Sequence, residues 1–319
     1  MAQGDTGEED RVGKYIIRRL LQMIPVFLGA TLFIYWLNFA LPGDPTAGRC
    51  GERPCSPAYV EGFNAKYGLD KPFIVQYVRY LTMLLHGDLG TNYYNNTVVH
   101  ELAIRYPTTI RLALVALAFM TLVGVTAGIL AGIRKGGIID NLVTILTLLL
   151  ISMPVFVIGG LAQRFLGLQW KVFPVTASDP PSWFQLVMPG LVLGSLSLAY
   201  VARLTRTSLV ENLRADYVRT AKAKGLSTAR SIGLHALRNS LLPVITYIGA
   251  SVGGLMGGAI VTERIFNING IGGLIWRSIN QRDGMTLVGT VVVLVMIYLV
   301  VNLLVDLLYG VLDPRISHD

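Results

Sequence analysis

Six uncharged, mostly apolar stretches alternate with polar segments along the chain. They cover residues 20–41, 112–133, 142–162, 183–202, 241–261 and 285–305. Each is close to the roughly 20 residues that an α-helix needs to cross a hydrocarbon core of about 30 Å. Strands of an outer-membrane barrel would instead alternate apolar and polar residues over about ten positions. The pattern therefore predicts an all-α membrane protein with six transmembrane helices.

Composition supports this interpretation. Charged residues make up 14% of the 319-residue chain, against roughly 25% in soluble globular proteins. So few charges could not cover a soluble surface of this size. Composition therefore excludes a soluble enzyme, a secreted disulfide scaffold and a disordered tail.

Basic residues indicate the orientation of the spans. If the N terminus is inside, 15 of the 27 Lys and Arg residues fall on inner segments, as the positive-inside rule requires. The strongest signal is the segment 203–238, which carries eight basic and two acidic residues. Both termini are therefore predicted to be cytoplasmic. The net charge of +8 is assigned to topology and anionic lipid contact, and it gives no indication of a nucleic-acid partner.

The predicted topology divides the chain into segments. A cytoplasmic tail (1–19) precedes the first span (20–41), which is longer than the roughly 7 to 15 apolar residues of a signal peptide. An extracytoplasmic loop (42–111) follows. A five-helix core (112–305) includes a cytoplasmic loop at 203–239, and a cytoplasmic tail (306–319) comes last.

The extracytoplasmic loop carries two helical patterns, at 57–67 and 72–85. In the second, aromatic and leucine residues recur at three- and four-residue spacing, which predicts an amphipathic helix. This helix either lies on the membrane surface at the channel mouth or packs only within its own loop.

Both cysteines of the chain, Cys50 and Cys55, lie in the same loop, in the sequence CGERPC. Disulfides persist outside the cytoplasm, so a disulfide is favoured over two free thiols. A metal site is the weakest of the three alternatives, because the nearest histidines show no ligand spacing.

Glycine and proline mark positions where spans pack closely or bend. Gly249, Gly253 and Gly257 lie on one face of the fifth stretch at four-residue spacing, which predicts close helix packing, either static or at a moving interface. Three prolines are candidate kink sites because each removes a backbone hydrogen bond: Pro154, Pro189 and Pro243.

Catalytic motifs are absent from the sequence. It contains no HExxH, GxSxG or GxxxxGK[ST] pattern, which mark zinc peptidases, serine hydrolases and phosphate-binding loops. No series of acidic residues or histidines crosses the spans, which argues against a proton-driven carrier. We therefore predict no catalytic site, no metal site and no cofactor in this chain, and any work must be driven by a partner or an ion gradient.

The segment 216–243, DYVRTAKAKGLSTARSIGLHALRNSLLP, is the most informative. Gly225 is placed to end a short amphipathic helix in a left-handed conformation, and Ser227 to cap the next helix. Small residues at such a turn allow another protein to approach closely; the alternative is an ordinary basic loop. The apolar residues that predict the first helix are Val210, Leu213, Tyr217 and Ala221.

This segment resembles the EAA loop of binding-protein-dependent ABC importer permeases, whose core is EAAxxxG. Arg219, Thr220 and Ala221 occupy the EAA positions, and Gly225 is the glycine. Arg219 and Thr220 depart from the general motif. Both departures are typical of the dipeptide, oligopeptide and nickel branch, in which YVRTAxAKG and HALRNxLLP recur; they stand here at 217–225 and 235–243.

The resemblance extends over nearly the whole chain and is to the B-type permease of that branch, whose first outer loop is long. The CGERPC sequence is not part of the pattern. The further matching segments are RRLLQMIPVFLGAT (18–31), LPGDP (41–45), KYGLDKPFIVQYVRYL (66–81), GDLG (87–90), VTERIFNINGIGGL (261–274) and NLLVDLLYGVLDPRI (302–316).

The resemblance implies a type I ABC importer permease fold in the bacterial cytoplasmic membrane. The implied partners are a homologous C-type permease, two ATPase subunits or domains that bind ATP and magnesium, and an extracytoplasmic solute-binding protein. The chain itself is expected to transport a di- or oligopeptide and not to be an enzyme. The residues implied to couple it to the ATPases are Arg219, Ala221, Ala223, Lys224 and Gly225.

Other functions stay open at this point. The same machinery could import a nickel chelate, haem or another small solute. A stand-alone carrier is a weaker alternative, since we find no internal inverted repeat, and an intramembrane enzyme is weaker still.

Overall fold

The computed structural model describes residues 5–39, 46, 49–50 and 55–312, and α-helices dominate it. Within these residues the only β geometry is one isolated bridge between Thr91 and Thr97. The predicted all-α class is therefore confirmed. In chain order the helices are α1 (Asp5–Phe39), α2 (Pro57–Tyr67), α3 (Phe73–Leu85), α4 (Val98–Ile133), α5 (Ile138–Ser152), α6 (Val155–Ala162), α7 (Trp183–Leu213), α8 (Asp216–Ala223), α9 (Thr228–Arg230), α10 (Leu237–Ile265), α11 (Ile271–Gln281) and α12 (Gly284–Leu312).

Two π-helical segments interrupt this series. Gln163–Gln169 continues α6, and Ser231–Ala236 joins α9 to α10. α1 begins at Asp5, within the segment predicted as an N-terminal tail.

Five helical segments of the described chain are long and apolar enough to cross a membrane. They contain α1, α4, α7, α10 and α12. The predicted third span is instead two helices, α5 and the continuous α6 with its π-helical segment, which meet at 107°. The described part of the chain therefore has five such spans, or six if the bent pair counts as one.

Proline explains the break between α5 and α6. Pro154 comes directly before α6, and Met153 has the extended dihedral angles (φ −97°, ψ 130°) that a residue before proline prefers. The kink predicted at Pro154 is thus confirmed. Pro189 and Pro243, in contrast, lie inside the continuous helices α7 and α10.

The described residues form two compact units. One comprises the chain up to Thr109 together with Asn269–Val300. The other comprises Ile110–Ile268 and the described residues from Val301 onwards.

In the first unit, α3 packs against two long helices. Its Tyr77 and Tyr80 lie in one buried cluster with Tyr35 of α1 and with Val288 and Val292 of α12. The hydroxyl groups of Tyr77 and Thr31 are 2.8 Å apart. The predicted helices at 57–67 and 72–85 are confirmed as α2 and α3, and the alternative in which α3 packs only within its own loop is wrong.

In the second unit, glycines bring α4 and α7 into close contact. A Cβ atom at Gly128 of α4 would lie 2.5 Å from the carbonyl oxygen of Ala202 and 2.5 Å from Thr205 Cβ. Gly124 and Gly132 meet the same face of α7 one turn away on either side. Only glycine permits this approach, because any side chain would collide with backbone.

The glycine face predicted on α10 is only partly used for packing. A Cβ at Gly249 would contact Val305 at 2.8 Å, whereas one at Gly254 or Gly257 would have no neighbour within 4 Å. The α4 glycines have the same four-residue spacing but were not predicted as a packing face.

Candidate coupling site

The segment between α7 and α10 folds as a helix, a sharp turn and a second helix. After α8, the Leu226 amide donates to the Ala221 carbonyl (3.2 Å) and the Gly225 amide to the Lys222 carbonyl (2.9 Å). These two bonds form a Schellman motif, which requires a left-handed residue at its centre. Gly225 supplies it with φ +86°, so the predicted helix end is confirmed.

The next helix begins as expected. The Ser227 side chain accepts a hydrogen bond from the Arg230 amide at 3.4 Å and caps α9. This satisfies one of the amide groups that lack a partner at a helix start.

The start and the apolar face of α8 differ from the prediction. α7 continues to Leu213, so Val210 and Leu213 belong to α7, and α8 begins only at Asp216. Tyr217 is 40% exposed, whereas Val218 is fully buried. The prediction was wrong because it assumed one continuous helix, whereas the helix is broken at residues 214–215.

The inner face of α8 anchors it to its own chain. Val218 packs in a buried cluster with Leu209 of α7 and Ala236 of the π-helical segment. The Ser240 hydroxyl donates to the Ser208 carbonyl (3.3 Å) and links α10 to α7 beside this cluster. Displacement of α8 must therefore disturb packing against α7.

Ala221 belongs to this inner face. It is 8% exposed, so its small side chain allows α8 to pack against its own chain and does not present a surface to a partner. The predicted coupling role of Ala221 stays a prediction.

The outer face of α8 is exposed and basic. The side chain of Arg219 is 76% exposed, and its 3.7 Å contact with the still more exposed Asp216 is a weak surface pair. Ala223, Lys224 and Gly225 are also exposed, as is Lys222. Four of the five predicted coupling residues therefore lie on one accessible surface.

A half-buried ion pair stabilises α7 one turn before Leu209. Arg206 donates through Nη2 to Asp140 Oδ2 at 2.7 Å and through Nε to Oδ1. The Gly136 amide donates to the same Oδ2 at 2.7 Å. Because Asp140 lies in the first turn of α5, this pair joins α5 to α7. No sequence pattern predicts this pair, since only the fold brings residues 66 positions apart into contact.

Within the described residues, no group of three or more His, Cys, Asp or Glu side chains could bind a metal ion. In the first unit, Cys50 and Cys55 are joined by a disulfide.

These features define a multi-pass α-helical membrane protein with a short helical projection between two spans. Residues 124–318 match the family "Binding-protein-dependent transport system inner membrane component". Residues 12–113 match its companion "Binding-prot-dependent transport system membrane comp, N-term". The chain therefore belongs to this family of inner-membrane transport permeases.

Relatives of known role resemble it over nearly full length. The dipeptide transport system permease protein DppB of Escherichia coli K12 is 38% identical, with 96% of this chain and 99% of the relative covered. The glutathione transport system permease protein GsiC of Pectobacterium atrosepticum is 35% identical, with 95% and 99% covered. These similarities confirm the resemblance to B-type permeases.

A solved structure shares the fold. A chain from the crystal structure of an amino acid ABC transporter with histidines superimposes with a TM-score of 0.50 at 17% identity, covering 74% of this chain and 98% of that one. The fold is thus that of an ABC transporter permease.

Proposed function

We propose that this chain forms half of the translocation pathway of an ATP-driven importer of di- or oligopeptides. The supporting observation is its nearly full-length similarity to permeases of dipeptide and di/tripeptide transport systems from three bacteria. A peptide crossing a pathway without charged binding groups can be released readily, and affinity then resides in an external binding protein.

The proposed machinery needs partner chains. A homologous permease completes the pathway, ATPase subunits or domains bind ATP and magnesium below it, and a binding protein delivers the solute from outside. In this arrangement the loop with α8 faces the cytoplasm, as its basic residues favour, and both termini lie on that side.

The inner face of α8 suggests how movement passes to the spans. When the ATPases close, a docked α8 moves with them, and Val218 presses on Leu209 of α7. The Asp140–Arg206 pair joins α5 to that part of α7. A rigid connection of this kind can convert a small displacement into a switch between two packed states.

The outer face of α8 indicates the chemistry of the ATPase surface. Arg219, Lys222 and Lys224 are exposed on α8 or directly after it, and the one carboxylate of α8 is Asp216, so we expect an acidic groove. Each exposed pair contributes only about 0.2 to 1 kcal/mol, and salt screens it. Co-purification of the ATPase should therefore weaken as salt rises; salt-independent binding would contradict an acidic groove.

Reconstitution tests the proposed solute. The complete complex in vesicles should import a labelled di- or tripeptide only when ATP and the binding protein are both present. Glutathione, haem and a nickel chelate serve as parallel solutes. Import of the nickel chelate or haem without import of peptide would contradict the proposal. So would micromolar binding of free nickel by this chain alone, because a tight metal site needs several clustered ligands.

A further inference from the structure

Arg49 is a buried cation in the first unit, directly before Cys50. Its side chain is 3% exposed. Nη2 donates to the Thr91 carbonyl at 3.0 Å and to Asp283 Oδ1 at 2.8 Å, and Nη1 donates to the Asn92 carbonyl at 3.4 Å. Three acceptors thus fix one guanidinium group, which a lysine could not match because its ammonium is a single point charge.

Asp283, the acidic partner, stands at the N-terminal end of α12. Its Oδ2 accepts from the Thr286 hydroxyl and from the Tyr93 amide, each at 2.7 Å, and its carbonyl accepts from the Leu287 amide at 3.0 Å. A carboxylate here also interacts favourably with the positive end of the helix dipole. Asp283 therefore joins the first turn of α12 to Arg49 and to the loop at residue 93.

The Cys50–Cys55 disulfide holds the backbone beside Arg49. Cys55 is followed by Ser56, which caps α2 by accepting a hydrogen bond from the Tyr59 amide. Further along α2, the ring of Phe63 lies 4.7 Å from Arg49 Cζ. The disulfide therefore links the residue after Arg49 to the residues at the start of α2, and the cation–π contact links the Arg49 side chain to Phe63 on the same helix.

We propose that Arg49 is a positioning residue for the N-terminal end of α12 and that the Cys50–Cys55 disulfide holds it in place. A buried ion pair stabilises only when its geometry is maintained, because both charges have lost their hydration. Opening the disulfide frees the backbone beside Arg49 and weakens its contacts with Asp283. Arg49 and the disulfide together therefore form a redox-dependent clamp that holds the N-terminal end of α12.

The opening step has a defined chemistry. A dithiol supplies the two electrons and two protons that convert the S–S bond into two thiols, and is itself oxidised to a disulfide. Cys50 is an exposed residue, on the solvent-accessible side of the disulfide. Because these are the only cysteines of the chain, a reductant acts at no other residue of it.

Hydrogen–deuterium exchange of the full-length chain in lipid nanodiscs tests the proposal. The probe is a peptide covering the first turn of α12, compared between the oxidised protein, the protein reduced with dithiothreitol, Arg49→Met and Cys50→Ser/Cys55→Ser. Each of the three changes should speed exchange about tenfold, since a charged hydrogen bond is worth more than 1.4 kcal/mol. Reducing Arg49→Met should add nothing.

Matched controls separate this role from general destabilisation. Arg79 is an exposed arginine on α3, and Arg79→Met should leave the first turn of α12 unchanged. Exchange in α3 should stay unchanged in the reduced protein and in the Arg49 and cysteine variants, and Arg49→Lys should recover part of the protection that Arg49→Met loses. Reduction of the folded wild-type protein needs no variant and keeps the test valid if Arg49→Met does not fold.

Two results would overturn the proposal. If exchange in the first turn of α12 is unchanged by both reduction and Arg49→Met, there is no clamp. If Arg49→Met speeds exchange but reduction does not, the disulfide has no part in it. Neither readout involves transport, so the outcome is independent of the proposed solute and partners.

Discussion

Gly225 and Val218, at and within α8, have different roles that the sequence alone does not distinguish. Gly225 is needed for its backbone conformation, and a Cβ there would have no neighbour within 4 Å. Val218 is needed for its side chain, which is fully buried against Leu209 and Ala236. One position therefore shapes the surface offered to a partner, and the other holds the helix to the spans.

Replacing Gly225 should uncouple transport without unfolding the protein. In Gly225→Asp, a left-handed residue with a side chain costs about 1 to 2 kcal/mol and places an acidic group on the basic surface. Solute-stimulated ATPase activity of the complex should fall while membrane insertion stays normal. Gly87→Asp is the control, because Gly87 has φ +76° and equal free space in the other unit; equal activity of the two variants would refute the role of Gly225.

Truncating Val218 should weaken the anchor of α8. Val218→Ala removes two buried methyl groups, at about 0.8 kcal/mol each before any cavity cost. We expect ATPase activity to persist but to respond less to solute, because α8 moves without displacing α7. Thr220, two residues further along α8, has nearly the same shape and is exposed, so Thr220→Ala should retain the full response. A normal response in Val218→Ala would exclude this contact as the connection.

Individual elements were predictable where the determinant is local. The helices at 57–67 and 72–85, the end of α8 at Gly225 and the bend at Pro154 follow from turn chemistry and spacing. The start of α8 was not predictable, because Val210 and Tyr217 fit one helical pattern and the break between them, at residues 214–215, contains no glycine or proline. The Asp140–Arg206 pair and the use of α4 glycines depend on which helices become neighbours, which one sequence does not state.

The close packing of α4 against α7 can be tested by replacing a glycine with a larger residue. Gly128→Val would force the two helices apart, because even its Cβ would lie 2.5 Å from the Ala202 carbonyl oxygen, at a cost of about 1 to 3 kcal/mol or more. The thermal unfolding temperature of the purified protein should fall clearly. Gly257→Val is the control, because a Cβ there meets nothing within 4 Å; equal unfolding temperatures would show that the α4 glycines do not determine packing.

At the scale of the whole molecule, the distribution of charge and the chemistry of cysteine point to the same orientation. The eight basic residues between 203 and 238 favour the cytoplasm for the loop with α8. A disulfide persists in an oxidising compartment, which favours the opposite side for Cys50 and Cys55. These two arguments are independent, because one concerns membrane insertion and the other redox chemistry.

Thiol labelling can test this orientation directly. In spheroplasts treated with a reductant, a membrane-impermeant maleimide should label Cys50, which is exposed. A second variant, with both native cysteines replaced by serine and Lys224→Cys added, carries one exposed thiol on the loop with α8. It should be labelled only after the membrane is opened, because the reagent cannot cross the bilayer. The reverse pattern would place α8 outside, where no ATPase could reach it, and would refute both the orientation and the proposed coupling.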